Sequence, residues 1–313
     1  MKTWVTIKQI AFATLLAGFA SCTHSDAEWM ETPDEEEGVL VNMNVSIVES
    51  QDIGQLRSSF PLPPEKENLI HDIWIFQYDA QGILRERFTQ RFREKDSGIL
   101  KLNSFSARLA PLKNCTVCMV ANLNPGEENP PAHWPDTWSQ FLEEYTTIAY
   151  SSTPDESGLP TIEGLYMFGC YHGDISGSAE TPTVINIALG RMLSRLNLTV
   201  TNETGVNLSD FKITIENVVT KAYFYPRTEN PVFATEDLTS FTSSLSSMAS
   251  NASTTLYYYV APNMNPAPGK ETRIKVDAKK NGVSVSATVN MGGSLQNTTI
   301  NRNNNYTISL TLK

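Results

Sequence analysis

Residues 69–92 run LIHDIWIFQYDAQGILRERFTQRF. From Leu69 to Tyr78 the residues alternate as a strand does, with Ile73, Ile75 and Gln77 on one face and Trp74, Phe76 and Tyr78 on the other. Asp79-Ala80-Gln81-Gly82 then reads as a turn in which Gly82 takes the positive φ, and Ile83 to Phe92 returns as the paired strand.

The same grammar recurs along the chain. Val39 to Val48 alternates from Val41 onward and is the first strand; Ile99 to Leu109 and Asn114 to Ala121 are two more, joined through Pro111. Further strands are expected at Leu165–Cys170, Thr183–Leu189, Arg195–Thr201, Phe211–Val219, Ala222–Tyr225, Thr254–Val260 and Tyr306–Leu312. Arg273–Ala278 and Val283–Val289 read as a hairpin closed by Lys280-Asn281-Gly282. Glu49–Glu67, with Pro61, Pro63 and Pro64, reads as loop, as do Asn122–Trp134 and Ser151–Pro160. Pro135–Tyr145 is expected to be a short helix capped by Asp136, with Trp138, Phe141, Leu142 and Tyr145 on one face. The Ser/Thr-rich run 237–249 reads as a poor helix or a loop. About a dozen short strands, with turns every ~8–12 residues, point to β-sandwiches and not to a parallel α/β sheet. The pattern breaks at Gly190–Ser194, which places a domain boundary near Gly190.

The N-terminus carries a different message. Lys2 and Lys8 precede an apolar run, Ile10 to Ala20, that ends in Phe19-Ala20-Ser21-Cys22. That is the layout of a secretory signal peptide, residues 1–21, and it is too short to span a membrane. The cut site resembles a bacterial lipobox with Phe19 in the usual leucine position, which implies a lipidated Cys22 as the mature N-terminus; an ordinary cleaved signal is the alternative. One acyl chain anchors weakly, so stable attachment needs several, palmitate-like chains among them. Residues 22–38, acidic at Asp34–Glu37, form the tether; Asp26 and Glu28 loosely resemble a surface-export signal of Gram-negative lipoproteins.

Composition narrows the function classes. Of 313 residues, 40% are hydrophobic and 19% charged, so a packed core is expected; the net charge of −10, with no basic face, argues against nucleic-acid binding. His24, His71, His133 and His172 are scattered, without metal-ligand spacing, and no nucleophile elbow or phosphate-binding glycine loop occurs, so neither a metal nor a cofactor is expected and no catalytic set stands out. Glu143-Glu144 reads as solvated surface. Cys115 and Cys118 are three apart on a strand and should face opposite ways, which argues against a local redox pair; Cys170 could join either. Tyr257-Tyr258-Tyr259 could line a sugar site or pack two sheet faces.

Several stretches, taken together, resemble the fimbrillin superfamily of Bacteroidia, the FimA- and Mfa-type pilus subunits, anchors and tips. They are the lipobox, Ile73–Phe76 with Asp79 and Gly82, Leu109–Asn122, Met167-Phe168-Gly169, Leu189-Gly190-Arg191 through Leu198, and Asn301-Arg302-Asn303 with Tyr306. The resemblance implies an all-β protein of two transthyretin-like Greek-key β-sandwich domains, here 39–190 and 191–313, with one or two short helices. It implies a non-enzymatic structural subunit or anchor of a cell-surface fimbria, held to the outer membrane through the lipid on Cys22 and supporting adhesion to a host or bacterial surface receptor. Its partners would be other fimbrial subunits, joined by strand exchange. In polymerising members a trypsin-like protease cuts after an arginine past the first strand. Arg57, in Gln55-Leu56-Arg57-Ser58-Ser59, holds the matching position, and the displaced strand would carry Val39, Val41, Met43, Val45 and Ile47. An ordinary exposed loop arginine is the other reading of Arg57. Shaft subunits carry a C-terminal donor strand; here Ser309–Lys313 is that donor or there is none, as would suit an anchor, so shaft, anchor and tip stay open. The alternative function is a surface glycan-binding lipoprotein.

Overall fold

The computed structural model describes residues 38–49, 51–53, 68–91, 104–123, 135–148, 150, 165–177, 181–227, 235–291 and 299–313. In chain order the elements are β1 (Val39–Ile47), β2 (Gln51–Ile53), β3 (Asp72–Tyr78), β4 (Leu84–Arg91), β5 (Ser104–Leu109), β6 (Cys115–Ala121), helix α1 (Trp138–Phe141), β7 (Tyr145–Thr147), β8 (Met167–Gly173) and β9 (Thr183–Arg191). They continue as β10 (Ser194–Asn202), β11 (Leu208–Val219), β12 (Lys221–Tyr223), β13 (Leu238–Met248), β14 (Ser253–Val260), β15 (Arg273–Lys280), β16 (Val283–Asn290) and β17 (Asn304–Leu312). The protein is all-β, as its alternation predicts.

The N-terminal sheet has the order β4-β3-β6-β8-β9-β1-β5. It folds over on itself, because β8 and β9 pair only through Met167↔Arg191 and Phe168↔Gly190. Gly169 makes that fold possible: a Cβ there would lie 2.4 Å from the Ala188 carbonyl oxygen, closer than any side chain tolerates. The far ends of the sheet meet through Phe88 of β4 and Phe105 of β5, whose ring centroids are 5.5 Å apart. Between the two layers lies a core that includes Met43, Ile75, Met119, Ile187 and Leu109.

The C-terminal part is a sandwich of two sheets, β14-β10-β17-β2 and β13-β11-β15-β16, closed around Leu198, Phe211, Ile213, Tyr258 and Val276. A third apolar cluster joins the two parts. Trp74, Phe76 and Tyr78 on the outer face of β3 meet Phe141 of α1, Phe168 of β8, and Tyr257 and Tyr259 of β14. β3 is therefore buried at every position, with Ile73 and Ile75 in one core and Trp74, Phe76 and Tyr78 in another. The tyrosine triplet divides the same way, with Tyr258 inward and its neighbours in the seam, so it packs two faces and lines no open sugar site.

The turns match their chemistry. Gly82 has φ 76°, and Asn281 and Gly282 have φ 50° and 83°, the paired positive values of a tight hairpin turn. Three expectations are corrected. The helix begins at Trp138 and not near Pro135, and its cap is Thr137, not Asp136: the Thr137 hydroxyl accepts from the Gln140 amide while the Gln140 side chain accepts from the Thr137 amide. Tyr145 belongs to β7. Residues 238–248 are strand β13, although Leu238, Phe241, Leu245 and Met248 have helical spacing; pairing with β11 decides the matter, and Ser243 sits buried at an inward position. Finally, β2 lies within the stretch expected to be loop. The signal peptide, Cys22, the tether up to residue 37, Arg57, His24 and His133 lie outside the described residues.

Candidate functional site

The strand singled out by sequence, β1, lies inside the N-terminal sheet. On one edge Val41–Ile47 pairs parallel with Thr183–Leu189 of β9; on the other Val39–Asn44 pairs antiparallel with Leu109–Ser104 of β5. Val41, Met43 and Val45 point into the core, and Val39 and Ile47 pack partly buried against it. The outward face is polar and knitted to its neighbours. Asn44 Nδ2 donates to Asn186 Oδ1 at 3.0 Å, Ser106 Oγ donates to Asn42 Oδ1 at 2.8 Å, and Arg108 Nη1 holds the Gly38 carbonyl at 3.0 Å. The result is a slot formed by β9 and β5, floored with apolar side chains and rimmed with Asn and Ser.

The exit from this slot is a built junction. The Val48 amide donates to the Leu189 carbonyl at 2.8 Å. Arg191, at the end of β9 and 7% exposed, donates through Nη1 to the Val48 carbonyl at 3.4 Å and to Asn303 Oδ1 at 3.2 Å, and through Nη2 to Asn68 Oδ1. Asn303, with φ 55°, donates Nδ2 to the carbonyls of Val48 and Glu49, each at 3.4 Å. The chain then enters β2, which runs parallel to Asn304–Tyr306 of β17. β1 thus adds a strand to the N-terminal sheet and β2, next in sequence, adds one to a C-terminal sheet. Arg57 follows four residues after Ile53 in sequence. Arg191 grips the chain on both sides of it, at Val48 and at Asn68.

Sequence reasoning picked out the motifs that contain Arg191 and Asn303 but gave neither residue a role. The available signals were a charged side chain closing an otherwise apolar strand and an asparagine suited to a left-handed backbone. Asn68 offered none.

At the other end, β17 does not stand free. Arg195–Asn202 of β10 pairs with Asn305–Leu312, and Tyr306 and Leu312 are buried in the C-terminal core. Ser309–Leu312 is accordingly part of its own sheet in this structure.

Asp79 holds the turn between β3 and β4. Asp79 accepts from the amides of Ile83 (2.8 Å) and Gln81 (2.9 Å) and from Arg85 Nε (2.7 Å); these bonds, that from Ile83 foremost, hold its carboxyl below the usual carboxylate range. Among the described residues no group of His, Cys, Asp and Glu is placed to hold a metal ion, and no helix is long and apolar enough to cross a membrane. His172 bonds Thr116 Oγ1 at 2.9 Å, and Glu143 pairs with Arg227 at the surface.

No protein-family model matches the chain, and comparison with curated proteins by sequence finds no match. Solved structures do resemble it. The tip fimbrial protein Mfa3 of Porphyromonas gingivalis, with a C-terminal truncation, aligns with TM-score 0.55 at 13% identity over 87% of this chain and 94% of that one. A candidate cell adhesion protein from Bacteroides eggerthii gives 0.58 at 12% identity over 88% and 86%. The fimbrilin FimA of Porphyromonas gingivalis gives 0.54 at 14% identity over 88% and 90%. On these alignments, which run through both the N-terminal sheet and the C-terminal sandwich, the chain has the β-sandwich fold of Bacteroidia fimbrial and cell-adhesion proteins.

Proposed function

We propose that this protein is a non-enzymatic, surface-exposed component of a fimbria, anchored to the outer membrane through a lipid on Cys22 and joined to other subunits by strand donation. Its two parts, 39–190 and 191–313, act as two domains. Cleavage after Arg57 separates the segment 22–57 covalently from the body. That segment includes both β1 and β2, which thereafter stay only through backbone pairing, apolar packing and the Arg191–Asn303 junction. Loss of β1 leaves the edges of β9 and β5 unpaired and Met43's place in the core open. A strand from a neighbouring subunit, alternating apolar and polar as β1 does, satisfies both.

The observation that carries this reading is the position of β1: an interior strand, followed at once by β2, with Arg57 four residues past Ile53 in sequence. An uncut chain keeps β1 and its lipid and serves as an anchor; a cut chain polymerises. The test is N-terminal sequencing of the protein in surface fractions, with and without an arginine-specific protease. A new N-terminus at Ser58 together with SDS-resistant ladders supports strand exchange. Cleavage at Arg57 that yields only monomer, β1 released or not, contradicts it.

A further inference from the structure

Cys118 of β6 and Cys170 of β8 are directly opposed partners in an antiparallel pair. Their sulfurs approach to 2.8 Å. Directly opposed residues of antiparallel strands have Cα atoms ~4.5 or ~5.5 Å apart, and both values fall inside the range a disulfide spans. Both thiols lie on the sheet face that packs towards the C-terminal sandwich; Cys118 is fully buried and Cys170 is partly open. Cys115 is different. It faces the other core, donates to the Gly173 carbonyl at 3.3 Å, and stands opposite Gly173 in the ladder. Geometry therefore selects one pair of the three.

We propose that Cys118 and Cys170 form a disulfide that clamps β6 to β8 at the seam between the two parts of the protein, leaving Cys115 as a thiol. The oxidant is a disulfide-bearing compound, protein or small molecule. Cys170, the accessible member, attacks one oxidant sulfur and forms a mixed disulfide, displacing one oxidant thiol. Cys118 then attacks the Cys170 sulfur, giving up its proton, and the second oxidant thiol leaves. One S–S bond breaks and one forms; the protein loses two electrons and two protons, and the oxidant gains them. Burial keeps Cys118 from meeting the oxidant and pushes its thiol well up from its usual value, so the more open Cys170 reacts first and Cys118 attacks only once the mixed disulfide is held beside it. The bond closes a loop spanning 52 positions in sequence, long enough to restrict the unfolded chain substantially.

The full chain is incubated with oxidised glutathione or with dithiothreitol, denatured, alkylated and mapped by mass spectrometry. Digestion must follow glutamate, since no Lys or Arg lies between Lys113 and Arg191; cleavage after Glu94, Glu127, Glu163 and Glu180 puts Cys118 and Cys170 on separate peptides. The expected product is a linked pair whose fragmentation assigns Cys118 to Cys170, with Cys115 alkylated. Thermal unfolding provides a second readout: the oxidised form should melt roughly 5–15 °C above the reduced one. That difference should vanish in Cys170→Ala and persist in Cys115→Ala. Alkyl label on both Cys118 and Cys170 after oxidation, a link to Cys115, or equal melting of the two redox forms would each overturn the assignment.

Discussion

Arg191 and Asn303, 112 positions apart, meet side chain to side chain at 3.2 Å, and both donate to the carbonyl of Val48. The last residue of β9 and the residue before β17 thereby hold the point where the first strand leaves the N-terminal sheet. Arg191→Ala should destabilise the protein by about 1.5–3 kcal/mol, because it removes the charge-assisted bonds that Arg191, itself nearly buried, makes to Val48, Asn303 and Asn68. Urea unfolding measures this. After cleavage at Arg57, the same variant should also release segment 22–57 faster than the wild type does.

Met43 and Asn44 are neighbours on β1 with opposite duties. Met43 is wholly buried and Asn44 is exposed, bonded only at the rim. Met43→Ala should cost about 2–4 kcal/mol, whereas Asn44→Ala should cost under ~1 kcal/mol. Equal effects, measured by denaturant midpoint, would mean that β1 is not seated as described.

Gly169→Ala tests the fold-over of the N-terminal sheet. The new methyl would press on the Ala188 backbone, which cannot swing aside as a side chain would. A loss of about 1–3 kcal/mol is expected in thermal or urea unfolding. Gly205, with open space around it, is the contrast; there any cost comes from its backbone, at φ 79°, and not from collision.

Asp79 supplies a pH signature. Its carboxyl is held below its ordinary value by the amides of Ile83 and Gln81 and by Arg85. The stability this gives is fully present above the unfolded value, about 3.9, and is lost as the pH falls through the lower folded value. Urea midpoints at pH 7 and pH 3 should therefore differ less in Asp79→Asn than in the wild type.

The strands of this fold were legible because most of them obey period two, and the turns because Gly82 and Asn281-Gly282 have few other uses. Two failures are instructive. Residues 238–248 carry apolar side chains at helical spacing, yet β11 draws them into a ladder, a tertiary effect with no local trace. β2 is three residues long and exists through pairing with β17, far off in sequence. The candidate site divides the same way. The alternation of Val41, Met43 and Val45 announces a half-buried strand, but nothing in it tells that β9 and β5 flank it on both sides. Arg191 and Asn303 gain their meaning only once β9 and β17 converge.

On the proposed function, subunits join only when β1 leaves its slot. Asn44 and Asn186 are partners on β1 and β9, already bonded at the surface, so Asn44→Cys with Asn186→Cys provides a removable lock outside the core. The double variant, oxidised and then cut with an arginine-specific protease, should remain monomeric on SDS gels and should form ladders once a reductant is added. Each single variant should form ladders under both conditions. Ladders from the locked, oxidised protein in the same yield as the wild type would contradict displacement of β1.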